Sequence, residues 1–253
     1  MKRRDLIVAS ASLAGVLIPG LGRAAQPCPP PQVSLSGGSS ASTTCEIVAP
    51  GSSYTTSFAG TENPISEGGR WTNPRAAGFT NVRTANGNAF GTQVDSGRYD
   101  DSYAYLSGFS ADHEIEGVVH RGNPTGVNHE VELHLRMSDD ATNVRSYEFL
   151  FGFQGAFQVM RWNGPLGPNF FTEITGNGSP SYGPYLPRAP ISGDVVKVRA
   201  VSNRLTAYFN GAQIWTGVDP AGTFASGQPG IAFFIRGTGN AEFGFSSITA
   251  RNV

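Results

Sequence analysis

Short runs of alternating apolar and polar residues recur along the chain from Tyr54 onward, and Gly, Pro, Asn and Asp separate them. A period of two is typical of β-strands that bury one face, and no window shows the spacing of an amphipathic helix. The pattern therefore predicts a single all-β domain over residues 54–253. The predicted strands are 55–59, 69–73, 81–84, 89–94, 102–109, 113–121, 129–138, 145–153, 156–163, 170–175, 194–202, 204–210, 212–217, 228–236 and 241–251.

Two turn signals indicate that the strands of the C-terminal half are antiparallel. The dipeptide Asn210-Gly211 lies between LTAYF and AQIW, and such a pair between apolar runs is a strong signal for a two-residue hairpin. Asn203 similarly joins VVKVRAVS to RLTAYF. A propeller is excluded because no repeat of about 40–50 residues is present. The predicted fold is a two-sheet antiparallel β-sandwich of the jelly-roll type.

The first 25 residues have the layout of an export signal. Basic residues at 2–4 precede an apolar stretch at 6–21, and a pair of alanines closes the segment. The pair Arg3-Arg4 fits either a twin-arginine signal or an ordinary secretory signal, and both routes remain open. We therefore expect a periplasmic or extracellular protein that has no membrane anchor once the signal is removed.

The segment 26–53 is rich in Pro, Ser, Gly and Thr, which predicts a leader or linker rather than a folded unit. It contains the two cysteines of the chain, Cys28 and Cys45. In an exported protein an even pair indicates a disulfide, and two unpaired thiols are the alternative.

Composition narrows the classes of partner. Charged residues make up 15% of the chain, the formal net charge is −1, and no basic stripe is present, which argues against nucleic-acid binding. Few charges together with many Gly, Asn, Ser and aromatic residues are common in exported proteins that meet neutral polymers.

Several stretches are similar to a known family. DHEIEGVVHRG, HEVELHLRM, SYEFLFGF and FQVMRWNG resemble the central strands of the concanavalin A-like lectin/glucanase superfamily, in its laminin-G-like bacterial branch. The endings GDVVKVRAVSNRLTAYFNGAQIW, FASGQPGIAFFI and FGFSSITARNV resemble its closing strands. The resemblance covers residues 55–253 and implies a sandwich whose concave sheet is the usual sugar-binding surface. The family's Glu-x-Asp-x-x-Glu hydrolase motif and its alginate-lyase signatures are absent, so the resemblance assigns no catalytic residue.

Ionisable side chains occupy alternate positions of the segment 129–137. If this segment is a strand, a period of two places Val131, Leu133 and Leu135 on one face and the ionisable residues on the other. The apolar face must then contact the core. The ionisable face consists of Glu130, Glu132, His134 and Arg136.

Pairing with the next two strands would bring rings to the ionisable face. We expect Tyr147 to lie opposite Arg136 and Phe149 opposite His134, with Trp162 beside Tyr147 in the following hairpin. A slip of one residue would exchange the faces. The long loop 163–192 supplies a further aromatic residue. The predicted ligand-binding residues are Glu132, His134, Arg136, Tyr147, Trp162 and Tyr185.

A face that mixes rings with charged groups suits a polysaccharide or other glycan, because rings stack on sugar faces and polar groups bind hydroxyls. The main hypothesis is an exported carbohydrate-binding domain. One alternative is a polysaccharide lyase on the same face, with His134, Arg136 and Tyr147 as catalytic residues, or a glycosidase using Glu130 and Glu132. The other is a structural or adhesive surface domain, with the ionisable face simply solvated.

No cofactor is predicted apart from a possible structural calcium ion. The turn TQVDSGRYDDSY contains Asp95, Asp100 and Asp101, and carboxylate oxygens are the ligands that calcium prefers. An ordinary polar turn is the alternative.

Overall fold

The computed structural model describes residues 52–94, 101–125, 127–175, 186–236 and 238–253. Within these ranges the chain forms sixteen strands and a 3₁₀ turn at Asn240–Glu242, and no helix there is long and apolar enough to cross a membrane. The strands are β1 (Ser53–Thr56), β2 (Trp71–Thr72), β3 (Thr80–Asn81), β4 (Arg83–Ala85), β5 (Asn88–Phe90), β6 (Ser102–Leu106), β7 (His113–Arg121), β8 (Val127–Asp139), β9 (Val144–Gly152), β10 (Phe157–Gly164), β11 (Phe171–Glu173), β12 (Val195–Val201), β13 (Arg204–Phe209), β14 (Ala212–Val218), β15 (Gln228–Arg236) and β16 (Phe243–Asn252).

The strands form two open sheets of eight strands each. Sheet I has the order β14-β13-β12-β7-β16-β5-β4, with β1 also paired to β16, and sheet II has the order β11-β10-β9-β8-β15-β6-β2, with β3 also paired to β6. All pairings are antiparallel except that of β3 with β6. The predicted all-β, two-sheet antiparallel sandwich is confirmed, and so is the hairpin at Asn210-Gly211, which joins β13 to β14 with φ of 50° and 79°.

The main core lies between the inner faces of the two sheets. On β8 the alternating residues Val131, Leu133 and Leu135 point into it and are fully buried. Aromatic side chains from β9 and β10 fill the same space, including Phe149 and Phe151. Since burying one such side chain contributes about 1.5–3 kcal/mol, this inner face strongly favours one strand register over its neighbours.

A second apolar cluster covers part of the outer face of sheet II. Trp162 and Tyr103 project outward from the sheet, and Phe79 and Phe170 from adjoining loops pack over them. This part of the outer face is therefore an enclosed layer and not a solvated surface.

A β-bulge interrupts β8 at Arg136 and Met137. Leu135 pairs with Tyr147 and Ser138 pairs with Arg145, so two residues of β8 lie opposite one residue of β9. Arg136 has a φ of 56°, in the left-handed region that few non-glycine residues adopt. The bulge turns the Arg136 side chain away from the outer face, which Met137 occupies instead.

Candidate functional site

The structure divides the predicted ligand-binding set between two places. Glu132, His134 and Trp162 share the outer face of sheet II, where each is fully buried. Arg136 and Tyr147 line a pocket at the edge between the two sheets.

The predicted register was wrong by one residue, which explains the position of Tyr147, whereas the bulge in β8 explains that of Arg136. Tyr147 lies opposite Leu135 instead of Arg136, and Phe149 lies opposite Leu133 instead of His134. Ser146, and not Tyr147, lies opposite Trp162. The observed register is favoured because it buries the aromatic residues of β9 in the core, whereas the predicted one would turn them outward.

Several predictions lie outside the described residues and stay predictions. They concern the export signal 1–25, the leader 26–53 up to residue 51, Cys28, Cys45, Asp95, Asp100 and Tyr185. Asp101 is described and is fully buried.

The residues of sheet II that we call the outer-face cluster are Glu130, Glu132, His134, Ser146, Glu148 and Trp162. The His134 ring bridges two of them, with its Nδ1 2.6 Å from the Ser146 hydroxyl and its Nε2 3.3 Å from Glu132 Oε2. Trp162 Nε1 donates a hydrogen bond of 2.6 Å to Glu148 Oε2. The cluster thus contains two hydrogen-bonded groups within a buried layer, His134 with Ser146 and Glu132, and Trp162 with Glu148.

Three carboxylates meet in this cluster. One oxygen from each of Glu130, Glu132 and Glu148 lies within 4.8 Å of the other two, and all three residues are buried. Buried carboxylates cost free energy unless they are paired, so such a concentration is a candidate functional site. Three carboxylate oxygens at this spacing suit a hard cation such as calcium, and two of them suit glycosidic-bond hydrolysis.

Glu148 was not among the predicted site residues, because a register with Tyr147 and Phe149 on the ionisable face turns Glu148 to the opposite face. In the structure it lies directly opposite His134 across the β8–β9 ladder. The only sequence signal that could have found it is the run of aromatic residues on the other face of β9.

The expected exposed ring is not present in this cluster. Trp162 is 0% exposed, and it stacks on Phe79 at 5.6 Å and contacts Phe170 at 5.2 Å between ring centroids. Its faces are therefore occupied by the protein's own rings, and it offers no platform for a sugar in this conformation.

The second place is a partly open pocket of about 290 Å³, which we call the edge pocket. The residue before β7, the bulge of β8, the strand β9, the β12–β13 turn and the β14–β15 loop all contribute to it. It is lined by Asp112, Arg136, Tyr147, Ser202, Asn203, Asp219, Gly222, Phe224 and Ala225.

Arg136 holds the walls of the edge pocket together. Its Nε donates to Ala111 O at 3.1 Å and its Nη1 donates to Phe224 O at 2.8 Å. Its Nη2 donates to Ser202 O and, at 3.4 Å, to Asp112 Oδ1. One side chain therefore links three loops to the bulge.

His113 lies beneath this arrangement. Its Nδ1 is 2.7 Å from Ser110 O, and the backbone N–H of Arg136 lies 3.3 Å from its Nε2. Burial lowers the pKa of His113 to about 4, against the hydrogen bond to Ser110, which raises it. The neutral ring with a proton on Nδ1 satisfies both contacts.

Asp219 anchors the opposite wall. Its oxygens accept hydrogen bonds from Arg161 Nη1, from the Tyr147 hydroxyl at 3.0 Å, and from the backbone N–H groups of Ala221 and Thr223. Burial alone would raise the pKa of this carboxyl, but the hydrogen bonds outweigh it and lower the pKa to about 2. The loop 219–223 is thereby tied to β9 and β10.

The groups with unused hydrogen-bonding capacity lie at the rim. Asp112 Oδ2 and the side chains of Ser202 and Asn203 make no hydrogen bond to any described residue, whereas Asp112 Oδ1 accepts from Ser202 N. The half-buried ring of Phe224 packs against Tyr147 with centroids 5.1 Å apart. The pocket thus offers acceptors, donors and a ring to a ligand. Of its residues, only Arg136 and Tyr147 are among those predicted from the sequence.

Comparison with known proteins gives similarity of fold only. No protein-family profile matches the chain, and no curated protein matches its sequence. A carbohydrate-binding module, CBM66 from Bacillus subtilis, is 14% identical, with a TM-score of 0.48 over 74% of this chain and 95% of the module. An endo-acting O-glycanase of the human gut microbiota is 11% identical, with a TM-score of 0.49 over 79% and 98% of the two chains. The exoplasmic/lumenal domain of VIP36, in a form bound to Ca²⁺ and Man3GlcNAc, is 13% identical, with a TM-score of 0.49 over 79% and 88%. Because these sequence identities and TM-scores are low, they assign no function to any residue of this chain.

Proposed function

We propose that this protein is an exported carbohydrate-binding β-sandwich domain and that the edge pocket holds a sugar residue. The observation that carries the proposal is the pocket itself: a partly open volume of about 290 Å³ in which carboxylates, hydroxyls and an amide face a phenyl ring. Small-ligand sites combine a few placed polar groups with an apolar wall in this way.

The chemistry of the rim suits a sugar. Hydroxyl groups both donate and accept, so they can pair with Asp112 Oδ2, with the Ser202 hydroxyl and with the Asn203 amide. The C–H face of a pyranose can pack on the Phe224 ring. Arg136 and Asp219 keep these groups in place through bonds to the protein, which reduces the ordering cost of binding.

Affinity electrophoresis against a broad panel of neutral and acidic polysaccharides tests the proposal, followed by calorimetry with fragments of any that retard the protein. We expect Asn203→Ala to weaken binding about fivefold, since a hydrogen bond contributes about 1 kcal/mol. Phe224→Leu removes the ring but keeps an apolar side chain, and we expect a similar loss. Gln213→Ala, an exposed polar residue on β14 outside the pocket, is the matched control.

Binding that survives both pocket variants would move the sugar site elsewhere on the domain. No retardation by any polysaccharide of the panel would reject carbohydrate binding and would favour the structural or adhesive alternative.

A second candidate function is glycoside hydrolysis at the outer-face cluster. The observation that favours it is the approach of the Glu130, Glu132 and Glu148 oxygens to within 4.8 Å, because retaining glycosidases hold two carboxyl groups about 5–5.5 Å apart. All three residues are buried, so hydrolysis there also requires the enclosed layer to open to a substrate. The test is release of new reducing ends from the same panel. Glu132→Gln and Glu148→Gln should each abolish it, while Glu173→Gln, on neighbouring β11, should not. Wild-type protein that releases none would exclude this candidate.

The lyase alternative loses its proposed residue set. His134 lies in the outer-face cluster, whereas Arg136 and Tyr147 line the edge pocket on the other side of sheet II. In addition, the guanidinium that would neutralise a uronate is already bonded to four protein oxygens.

A further inference from the structure

We infer that the edge pocket selects a single neutral sugar residue and rejects its uronic-acid counterpart. The inference rests on the proposed function, and it names the class of ligand that the same pocket takes. Most charged groups in and beside the pocket are already bonded to the protein, whereas Asp112, which lines it, keeps one oxygen that can accept a hydrogen bond.

The donors of the guanidinium that lines the pocket are largely taken up by the protein. A carboxylate is captured by a guanidinium through two parallel N–H groups, which belong to Nε and Nη2 or to Nη1 and Nη2. In Arg136 the Nε bond goes to Ala111 O, and Nη2 donates to two oxygens. Only one N–H, on Nη1, remains beyond the bond to Phe224 O. A bidentate contact with a uronate would therefore require Arg136 to release the loops that form the pocket.

The second cation near the pocket is engaged as well. Arg161 does not line the pocket, and its Nη1 lies 2.8 Å and 3.0 Å from the two oxygens of Asp219. The Asp219 oxygens also accept from Tyr147 and from two backbone N–H groups. This wall is thus neutralised internally and presents little net charge to a ligand.

The more exposed member of the Arg136–Asp112 ion pair is the anion, since the Asp112 side chain is 38% exposed and that of Arg136 is 5% exposed. Asp112 lines the pocket and pairs with described residues only through Oδ1, so Oδ2 is left to accept a hydrogen bond from a ligand. A hydroxyl can donate to this oxygen, whereas a carboxylate can only repel it. For two like charges about 6 Å apart, Coulomb repulsion lowers affinity roughly threefold at the dielectric constant of water and roughly a hundredfold at that of a protein surface, so about tenfold is expected for a partly exposed group such as Asp112.

The size of the pocket limits the ligand further. A volume of about 290 Å³ lies at the lower end of small-ligand sites, so it suits one ring better than a length of chain. One ring can use Asp112, Ser202 and Asn203 for its hydroxyls while one face rests on Phe224. A polysaccharide would then be bound at an end or through a side branch.

Matched methyl glycosides test the inference, because methyl glucoside and methyl glucuronide, or methyl galactoside and methyl galacturonide, differ only at C6. Binding to the full chain is followed by chemical shifts or by calorimetry at low salt. We expect at least one neutral glycoside to bind about tenfold more tightly than its uronide. In Asp112→Asn, which keeps Oδ1 as an acceptor for Ser202 N, the ratio should fall to within about threefold.

Asp140→Asn is the control for net charge, because Asp140 is exposed in the β8–β9 turn and does not line the pocket. It should leave the ratio unchanged. A uronide that binds as tightly as its neutral partner would overturn the inference while carbohydrate binding stands. An unchanged ratio in Asp112→Asn would also overturn it. Failure of every glycoside and every polysaccharide of the panel would instead reject the proposed function.

Discussion

Replacing Asp219 by Asn is the most direct test of how the edge pocket is held together. The Asp219 side chain is 4% exposed and pairs with Arg161, whose side chain is 15% exposed. Asn keeps the shape of the Asp side chain but removes its negative charge. It also replaces one carboxylate oxygen, which accepts hydrogen bonds, with an amide nitrogen, which donates them. Breaking a buried pair in this way costs about 3–5 kcal/mol, because the remaining charge stays buried without compensation.

The pH dependence of stability gives a second measure of what the Asp219 charge contributes to the unfolding free energy. The pKa of Asp219 is lowered to about 2, below the value of about 3.9 expected in the unfolded chain. The stabilisation of the folded state by ionised Asp219 is therefore present above pH ~4 and is lost as the pH falls toward about 2. A pKa lowered this far corresponds to about 2–3 kcal/mol of unfolding free energy.

Urea denaturation of wild type and Asp219→Asn between pH 7 and pH 2.5 measures both effects. We expect the difference in unfolding free energy to be about 3 kcal/mol at pH 7, equivalent to a melting temperature lower by about 6–12 °C. The difference should shrink below pH 4, since protonated Asp219 also lacks its charge. Equal stability at pH 7, or a difference that stays constant down to pH 2.5, would refute the account of this anchor.

Three further predictions follow from single contacts. Stability should fall as the pH drops from about 6.5 to about 4, because buried His113 binds a proton less readily in the folded chain than in the unfolded one. In His113→Gln, followed by urea titration, this slope should be shallower, and the part that remains belongs to groups such as His129, whose pKa burial also lowers. Asp139→Asn should destabilise the domain by about 2–3 kcal/mol, since the carboxylate accepts hydrogen bonds from the hydroxyls of Tyr103 and Tyr105. Thermal melts measure this, and an unchanged melting temperature would contradict it. Gly227→Ala should reduce soluble yield or melting temperature sharply, because Gly227 has a φ of 139° and an added Cβ would lie 2.3 Å from the backbone of Arg136. A variant that melts like the wild type would count against this close approach.

The alternation of apolar and polar residues was enough to predict the strands of the sandwich, because each strand has one face in the core. Segments such as 113–121 and 228–236 were predicted with the bounds that the structure has. The register was harder to predict, since β8 is amphipathic while β9 is apolar or aromatic at most positions. Either face of β9 could have been turned inward from the sequence alone.

The candidate sites were less predictable for a physical reason. The edge pocket is assembled by residues from loops that are distant in sequence, such as Asp112 and Asp219, and no periodic pattern marks them. Trp162 is enclosed by the rings of Phe79 and Phe170. Both residues lie in loops and not in the strands that pair with β10. Neither relation has a local sequence signal.

The bulge in β8 also bears on how this chain must be aligned with any relative. Up to Leu135 even-numbered residues of β8 point to the outer face, but beyond Arg136 the odd-numbered Met137 and Asp139 do so. A relative without the extra residue would need a gap at this point before equivalent side chains coincide. Grafting or redesigning either half of the strand must respect this change of parity, or every later side chain will point to the wrong side.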